Sequence, residues 1–340
     1  MSNNLLAKLK QRCLLTLITG LAASSAMAEL HIDNPIVVQR ADPFLVRDVN
    51  IGCYHFIATS PKFDQIEIRQ SCHINELKAV QPKVIWQKRD AGPMSVNIWA
   101  PELHQIDGIW YIYFAAGDKA KPFSIRMYVL SNPNANPAQG SWKEEGQIKT
   151  PWDSFSLDAT TFTQADKRFL VWAQMDADHT YNSALLIAQM DLPTSIKEPV
   201  VTITEPLLGW ERLGYKVNEG AAVIQRHGRF FMTYSASATD DRYAMGLLWA
   251  DEDADLLNPA SWHKSPQPVF TTQTDIHRYG PGHNSFVVAE DGKTDLMIYH
   301  SRDYRQLKGT PLTDPNRHAR ARVLEWDEKG FPVFNNEQGD

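Results

Sequence analysis

Short apolar runs, rich in aromatic and β-branched residues, recur along the chain and are separated by turn residues. The five clearest runs occupy residues 54–57, 110–114, 169–172, 230–234 and 296–299. Apolar runs of four or five residues between turn residues are typical of buried β-strands. Because no long amphipathic helical pattern interrupts these runs, the sequence predicts an all-β protein.

A polar residue opens another, shorter apolar segment before each of these runs. These residues are Asp42, Glu102, Asp158, Glu219 and His283, at intervals of 60, 56, 61 and 64 residues. A strand-built repeat of this length is typical of propeller blades. The sequence therefore predicts a five-bladed β-propeller. Its five units are predicted at residues 40–95, 96–152, 153–212, 213–275 and 276–336.

Turn residues and further apolar segments divide each unit into strands. Turns between the first and second strands are predicted at residues 106–108, 165–167, 226–228 and 290–292. Third strands are predicted at residues 124–130, 184–189 and 244–249. Fourth strands are weaker in the sequence, and the candidates lie at residues 84–86, 200–204 and 268–271. Each unit is thus expected to form a four-stranded antiparallel blade.

Residues 1–28 have the pattern of an export signal. Three basic residues precede an apolar run over residues 13–22, and a stretch of small residues ends at Ala28. This is the order of a secretory signal peptide, cleaved after Ala28. The alternative is a membrane anchor, but the run is shorter than the ~20 residues that a span needs. We therefore expect an exported protein, periplasmic or extracellular, with residues 29–340 as one propeller domain.

Charge and composition narrow the range of partners. The chain has 34 Lys and Arg against 40 Asp and Glu, and cleavage after Ala28 removes three basic and no acidic residues. Such an acidic balance argues against nucleic acid as a partner. No later segment is apolar enough to span a bilayer. Length alone permits two domains, but no linker-like segment or charge run divides the chain, so one domain is expected.

The mature chain would keep two cysteines, Cys53 and Cys72, on two predicted strands that flank a turn. A hairpin centred between Lys62 and Phe63 sets these two residues opposite each other. Opposed residues in a non-hydrogen-bonded pair have Cα atoms ~4.5 Å apart, which is within reach of a disulfide. An oxidising compartment would favour the bond. The alternative is two buried free thiols, because a one-residue slip would place the side chains on opposite faces.

In a propeller, the innermost strands of all blades line one central channel, so the five polar residues are expected to converge near its axis. Three tryptophans lie close to them in sequence, namely Trp99, Trp152 and Trp210. Aromatic faces pack on sugar rings, and carboxylates bind hydroxyls or perform glycosidic chemistry. Each polar residue also has a structural interpretation, such as a turn former before proline for Asp42. Their common place in the repeat favours the functional interpretation.

The segments around these residues resemble glycoside hydrolase family 43, whose members are five-bladed arabinofuranosidases, arabinanases and β-xylosidases. The resemblance covers about residues 34–334, and its motifs lie at residues 40–44, 98–104, 156–160, 217–221 and 279–285. Three further segments are most similar to the exo-acting α-L-arabinofuranosidase branch that trims 1,5-linked arabinan. They are residues 54–60, 235–240 and 312–318.

The resemblance implies roles for three acids. Asp42 matches the general base, Glu219 the general acid, and Asp158 the third acid, which orients the general acid and modulates its pKa. The family inverts configuration, so a water must fit between Asp42 and Glu219, whose carboxyl groups are then expected ~6.5–9.5 Å apart. A nearby Asp158 carboxylate would raise the pKa of Glu219, because like charges at close range resist ionising together.

The resemblance also implies residues outside the three acids. Arg302 resembles the family's substrate-binding arginine, and Trp99 is placed to pack against a sugar; the alternatives are an ion pair and a core aromatic. His283 resembles a histidine that lies beside a structural metal ion, often calcium, in the channel of related arabinanases. Because calcium prefers oxygen ligands, such an ion would be mostly water-bound. No cofactor is expected for the chemistry itself.

The sequence thus predicts an inverting glycoside hydrolase that releases terminal α-L-arabinofuranosyl residues. Exo action on 1,5-linked arabinan or arabino-oligosaccharides is the expected specificity. Two alternatives within the fold are a β-D-xylosidase and an endo-arabinanase. A third alternative, from another functional class, is a sugar-binding propeller without catalysis, against which the presence of all three acids counts.

Overall fold

Twenty-two strands and three short 3₁₀ helices form the regular structure of residues 30–334, the part of the chain described by this computed structural model. Most strands belong to five antiparallel sheets that follow one another along the chain, each sheet built from consecutive strands. The prediction of a five-bladed β-propeller is confirmed. The 3₁₀ helices span Ile74–Glu76, Gly209–Arg212 and Pro259–Ser261.

The strands are numbered in chain order. Blade 1 contains β1 (Ala41–Asp48), β2 (Cys53–Thr59), β3 (Gln65–Ser71) and β4 (Lys83–Gln87). Blade 2 contains β5 (Val96–Ile106), β6 (Ile109–Asp118), β7 (Lys121–Asn132) and β8 (Lys143–Gln147). Blade 3 contains β9 (Ser156–Gln164), β10 (Lys167–Gln174), β11 (Ala184–Leu192), β12 (Ser195–Ile196) and β13 (Val201–Thr204).

Blade 4 contains β14 (Asn218–Arg226), β15 (Arg229–Ala236), β16 (Ala244–Asp251) and β17 (His263–Lys264). Blade 5 contains β18 (Tyr279–Val288), β19 (Asp295–Arg302) and β20 (His318–Val323). A separate hairpin follows, formed by β21 (Glu325–Trp326) and β22 (Pro332–Val333). The five opening strands contact one another in a closed ring, in the order β1, β5, β9, β14, β18 and back to β1. They are therefore the innermost strands, as the repeat predicted.

The segment before β1 joins the last blade. Val37 and Ala319 exchange backbone hydrogen bonds of 3.3 and 2.9 Å, which adds the N-terminal segment to the edge of β20. The Asn34 side chain makes two further bonds to the backbone of Ala321. Blade 5 thus receives its outer edge from a segment that precedes blade 1. This pairing across the whole length of the chain was not anticipated from the sequence.

Adjacent blades pack face to face through apolar side chains. In β6, Ile112 and Phe114 face blade 1, whereas the intervening Tyr113 packs with Leu170 and Trp172 of blade 3. Successive strand residues point to opposite faces, and here both faces are covered by a neighbouring blade. This explains why the second strands are largely apolar and why they are the strongest feature of the sequence.

The turns and the hairpin of the two cysteines agree with prediction. Asp107 and Gly108 between β5 and β6 both have positive φ, as two-residue hairpin turns require. Tyr54 pairs with Ser71 across β2 and β3, which is the register predicted from the turn. Cys53 and Cys72 form a disulfide. The alternative of two free thiols is therefore wrong.

Two predictions differ from the structure or lie outside it. Residues 268–271 form no strand and contribute only an isolated bridge from Phe270 to Met245. The fourth strand of blade 4 is instead His263–Lys264. It was not predicted because it is short and polar. The predicted export signal at residues 1–28 lies outside the described residues. Within residues 30–334, no helix has the length and apolar character needed to cross a membrane.

Candidate active site

A residue with left-handed backbone occurs at the same place in every innermost strand. These residues are Asp42, Ala100, Asp158, Gly220 and His283, with φ between 43° and 59°. The register between the first and second strands shifts around each of them. Such a β-bulge kinks the strand and redirects a side chain. Positive φ at non-glycine residues costs ~1–2 kcal/mol each, and such strain is characteristic of functional sites.

The bulges correct the predicted equivalence of the five polar residues. Asp42, Asp158 and His283 occupy the bulge itself, whereas Glu219 directly precedes its bulge residue and Glu102 lies two residues after Ala100. Glu102 instead hydrogen-bonds to His104 at 2.8 Å. The spacing of the repeat places Glu219 and Glu102 in the same position as the other three residues. It does so because the location of a bulge cannot be read from the length of a repeat.

His283 lies between two of the three predicted acids. Its Nδ1 is 3.2 Å from Asp42 Oδ1 and 3.8 Å from Asp158 Oδ2. All three side chains are buried. Burial by itself would lower the pKa of His283, but the charges of Asp158 and Asp42 outweigh it and raise the pKa to about 10. The imidazole is therefore a cation that holds the two carboxylates together at neutral pH.

Asp42 is kept ionised by its surroundings. Thr59 Oγ1 donates a hydrogen bond of 2.6 Å to Asp42 Oδ2, and Arg317 Nη1 lies 3.3 Å from Oδ1. Burial would raise the pKa of Asp42, but the Arg317 guanidinium and then His283 more than offset it, and the pKa lies well below its usual value. Asp42 can therefore accept a proton but holds none at neutral pH.

Glu219 is in the opposite state. Burial, followed by the charge of Asp158, raises the pKa of Glu219 to about 8. Tyr243 Oη donates a hydrogen bond of 2.9 Å to Glu219 Oε1. The pKa of Asp158 is also raised, to about 6 and mainly by burial, while His283 restrains the rise. At neutral pH the site thus holds one protonated acid, Glu219, beside two carboxylates.

Gly220 connects Glu219 to the rest of the site. Its amide donates a hydrogen bond of 3.0 Å to Asp158 Oδ2. A Cβ at this position would lie 2.9 Å from Cγ of His283, and φ is 59°. Any larger residue would therefore displace the imidazole or strain the backbone. The glycine that follows Glu219 in the sequence is therefore what permits this close approach.

These side chains face a cavity of about 830 Å³. Asp42, Asp158, Glu219, His283 and Arg317 line it on the charged side. Trp99 also lines it, and packs edge-on against Phe63 with ring centroids 6.0 Å apart. About half of the remaining lining residues are apolar or aromatic, including Phe123, Phe155, Leu157, Met175, Tyr215 and Leu312, and the others are polar or charged, including Arg126 and Asp153. A cavity of this size and character suits a small ligand with an apolar face and several hydroxyls.

Arg302 is not among the residues that line this cavity. It is 2% exposed, and its guanidinium donates to the carbonyl oxygens of Thr239, Pro311 and Asp314. Arg302 thus fixes the loop between β19 and β20, and a residue of that loop, Arg317, supplies the guanidinium at the site. Arg317 lies in the segment 312–318 noted for its resemblance, but its role was not inferred from the sequence.

Three other residues of the site were also missed. Thr59, Tyr243 and His300 contact the acids but were not predicted as site residues, although Thr59 lies within the segment 54–60 noted for its resemblance. His300 Nδ1 accepts the backbone N–H of Asp42 at 3.0 Å. Only the folded arrangement of blades brings these residues to the acids, so no spacing rule could have identified them.

Comparison with known proteins gives consistent matches. The family described as glycosyl hydrolases family 43 matches residues 32–332. An alpha-L-arabinofuranosidase 43 of Humicola insolens is 50% identical over 92% of this chain and 64% of its own length. An extracellular exo-α-(1→5)-L-arabinofuranosidase of Streptomyces avermitilis is 49% identical over 92% of this chain and 65% of its own length. The chain therefore spans slightly less than two thirds of these two relatives.

A solved structure covers the fold more completely. The crystal structure of an α-L-arabinofuranosidase from Lactobacillus brevis is 48% identical in sequence and has a TM-score of 0.86. The match covers 90% of this chain and 96% of that chain. The likeness therefore extends over most of the chain rather than over an isolated part of the propeller.

Proposed function

The chain belongs to glycosyl hydrolases family 43, and from this we propose that it is an inverting, exo-acting α-L-arabinofuranosidase. The observation that carries the proposal is the opposite protonation of two acids in one cavity. Asp42 is held ionised by Arg317 and His283, whereas the pKa of Glu219 is raised to about 8. A pair of carboxyl groups kept in these two states is what general base and general acid catalysis requires.

Asp42 acts as the general base and Glu219 as the general acid. Asp42 removes a proton from water while the water oxygen attacks the anomeric carbon. The bond from that carbon to the leaving oxygen breaks, and Glu219 transfers its proton to this oxygen. Attack on the face opposite the leaving group inverts the configuration. Asp42 ends protonated and Glu219 ionised, and exchange with solvent restores both.

Asp158 and His283 prepare the two acids for these roles. Asp158 accepts a hydrogen bond from the Gly220 amide, and this bond fixes the strand next to Glu219. The negative charge of Asp158 favours the protonated form of Glu219. The cationic His283 binds both Asp42 and Asp158 and so limits the repulsion between them. Arg317 and Trp99 are the proposed sugar contacts, one for hydroxyls and one for an apolar ring face. For Arg302 we propose support of the loop that carries Arg317.

The predicted calcium ion does not fit the surroundings of His283. The ring Nδ1 lies between two carboxylates, and its pKa is raised to about 10, so the imidazole holds a proton rather than offering a lone pair. In the described part of the chain, no group of three or more His, Cys, Asp or Glu is arranged to hold a metal ion. We therefore propose that His283 acts as a cation itself and is not a calcium ligand.

The names of the relatives support the choice of substrate and compartment. The two relatives described above are named as α-L-arabinofuranosidases, and the Streptomyces protein is named as an extracellular exo-α-(1→5)-L-arabinofuranosidase. We propose terminal α-L-arabinofuranosyl units of 1,5-linked arabinan or arabino-oligosaccharides as substrate, and export of this chain. Alternatives within the fold are xylosidase and endo-arabinanase action.

Chromatography of the products released from linear 1,5-arabinan, with xylo-oligosaccharides in parallel, tests this proposal. We expect arabinose alone from the earliest time point. Early arabino-oligosaccharides would mean endo cleavage, and xylose alone would mean a xylosidase. No product from either substrate, together with retained arabinan binding, would indicate a propeller without catalysis.

A further inference from the structure

Among the residues that the structure describes, Tyr243 is the one whose hydroxyl hydrogen-bonds to Glu219. Its Oη donates to Glu219 Oε1 at 2.9 Å, and its ring is 1% exposed. Burial, with the nearby carboxylates, raises the pKa of Tyr243 well above its usual value, so the hydroxyl keeps its proton. A permanent donor at Oε1 leaves Oε2 as the oxygen on which the acidic proton of Glu219 can reside.

The Tyr243 ring is held in place from two sides. On one side it stacks on the His300 imidazole, with ring centroids 5.8 Å apart and an interplanar angle of 6°. On the other side it lies against Gly282, where a Cβ would approach Tyr243 Cε1 to 2.5 Å. The glycine of the segment before His283 therefore makes room for this ring. Tyr243 has little freedom to rotate its hydroxyl away from Glu219.

His300, which stacks on Tyr243, also contacts Asp42, the proposed general base. Its Nδ1 accepts the Asp42 backbone N–H at 3.0 Å, and its ring is fully buried. The Asp42 residue has a left-handed backbone, with φ of 54°, so its amide is turned away from the usual strand ladder and needs this acceptor. The stacked pair of Tyr243 and His300 thus touches the backbone of Asp42 and the carboxyl group of Glu219.

We propose that Tyr243 is a positioning residue that directs the proton of Glu219 to Oε2, towards the leaving oxygen, and that His300 holds Tyr243 in register with Asp42. This inference rests on the proposed role of Glu219 as general acid. The donated hydrogen bond stabilises the ionised form of Glu219, which opposes the effects of burial and of Asp158. Tyr243 therefore also sets the upper pH at which the acid still holds its proton.

The test compares Tyr243→Phe with Tyr234→Phe. Tyr234 is a matched control, because it is also buried in blade 4 and donates to a buried glutamate, Glu211, at 2.7 Å. For Tyr243→Phe we expect kcat on arabinobiose to fall about tenfold and the alkaline limb of the kcat/KM profile to move to higher pH. For Tyr234→Phe the limb should stay where it is, whatever happens to stability.

Site-specific 3-fluorotyrosine at position 243 gives a second variant that keeps the ring and its packing. Fluorination makes the hydroxyl a stronger donor, so the alkaline limb should move to lower pH, opposite to Tyr243→Phe. If neither variant moves the limb, or if Tyr234→Phe moves it equally, the inference is wrong. Glu219→Gln separates this failure from failure of the proposed function, because near-normal rates in Glu219→Gln would remove the general acid itself.

Discussion

Two glutamates, Glu211 in the segment before β14 and Glu219 in β14, have very different surroundings. Glu211 is fully buried and accepts from Tyr234 Oη at 2.7 Å, from the Leu208 amide at 2.8 Å and from Asn218 at 3.2 Å, with the Lys264 ammonium at 2.6 Å. Glu219 has one hydroxyl donor, Tyr243, and a neighbouring carboxylate, Asp158, which raises its pKa.

The difference shows how one protein can use the same residue type for structure and for chemistry. Glu211 contacts a cation and several hydrogen-bond donors, and so joins β17 to the loop before β14. A carboxylate with few donors and a like charge nearby retains its proton instead. The partners of each carboxyl group account for the difference between the two glutamates.

Glu219→Gln should produce the largest effect. We expect kcat on arabino-oligosaccharides to fall by about 10³-fold, because the proton donor is lost, while the free energy of unfolding stays nearly unchanged, since Gln is isosteric with the protonated acid. Steady-state kinetics and urea unfolding measure the two. Activity on an aryl arabinofuranoside with an acidic phenol should fall far less, and an equal loss on both substrates would contradict a role in leaving-group protonation.

Glu211→Gln should show the reverse pattern. Removing the carboxylate leaves the Lys264 ammonium without its ion-pair partner, so we expect the free energy of unfolding to fall by about 3 kcal/mol. The kcat of the folded fraction should remain within a few-fold of the unmodified protein. Urea unfolding with kinetics at low temperature checks this, and a loss of activity as large as that of Glu219→Gln would give Glu211 a share in catalysis.

Asp158→Asn should move the pH profile rather than abolish activity outright. The Asp158 charge raises the pKa of Glu219, so its removal lowers that pKa and Glu219 loses its proton at lower pH. The alkaline limb of kcat/KM should therefore move to lower pH, with a fall of about tenfold in kcat at neutral pH. A limb that moves upward would mean that Asp158 is not the charge acting on Glu219.

Gly220→Ala and Gly228→Ala give the smallest effect. Both glycines have positive φ, but a Cβ at Gly228 meets nothing within 4 Å, whereas one at Gly220 lies 2.9 Å from His283. Gly228→Ala should cost ~1 kcal/mol in stability, from backbone strain alone. Gly220→Ala should cost about 1 kcal/mol more and also lower kcat. Equal stability and equal kcat in the two variants would exclude a steric role for Gly220.

The strands were predictable because packing between blades requires apolar residues on both faces of a strand. Residues 110–114 and 230–234 are apolar or aromatic except for Thr233, since each face of a second strand contacts another blade. The turn at Asp107 and Gly108 was likewise visible in residue types. The fourth strand of blade 4 was placed wrongly, because His263–Lys264 is a two-residue polar edge that owes its pairing to β16 rather than to its own pattern.

The acids were found because a repeat and a family resemblance pointed to the same residues, but their partners were not. Arg317, Tyr243 and His300 reach the site from loops and outer strands of blades 4 and 5. The resemblance points to Arg302, whereas Arg317 lines the cavity, because chain position does not reveal which guanidinium faces the cavity and which binds loop carbonyls.

The sequence by itself determined the number of blades, the hairpin that carries Cys53 and Cys72, and the polar residues that recur in the repeat, because these depend on periods and turns within short stretches. The tertiary structure decided which carboxyl groups hold protons. Protonation depends on burial and on charges within a few ångströms, and these came from residues as far apart in sequence as Asp42 and Arg317. The closed ring of blades brought them together.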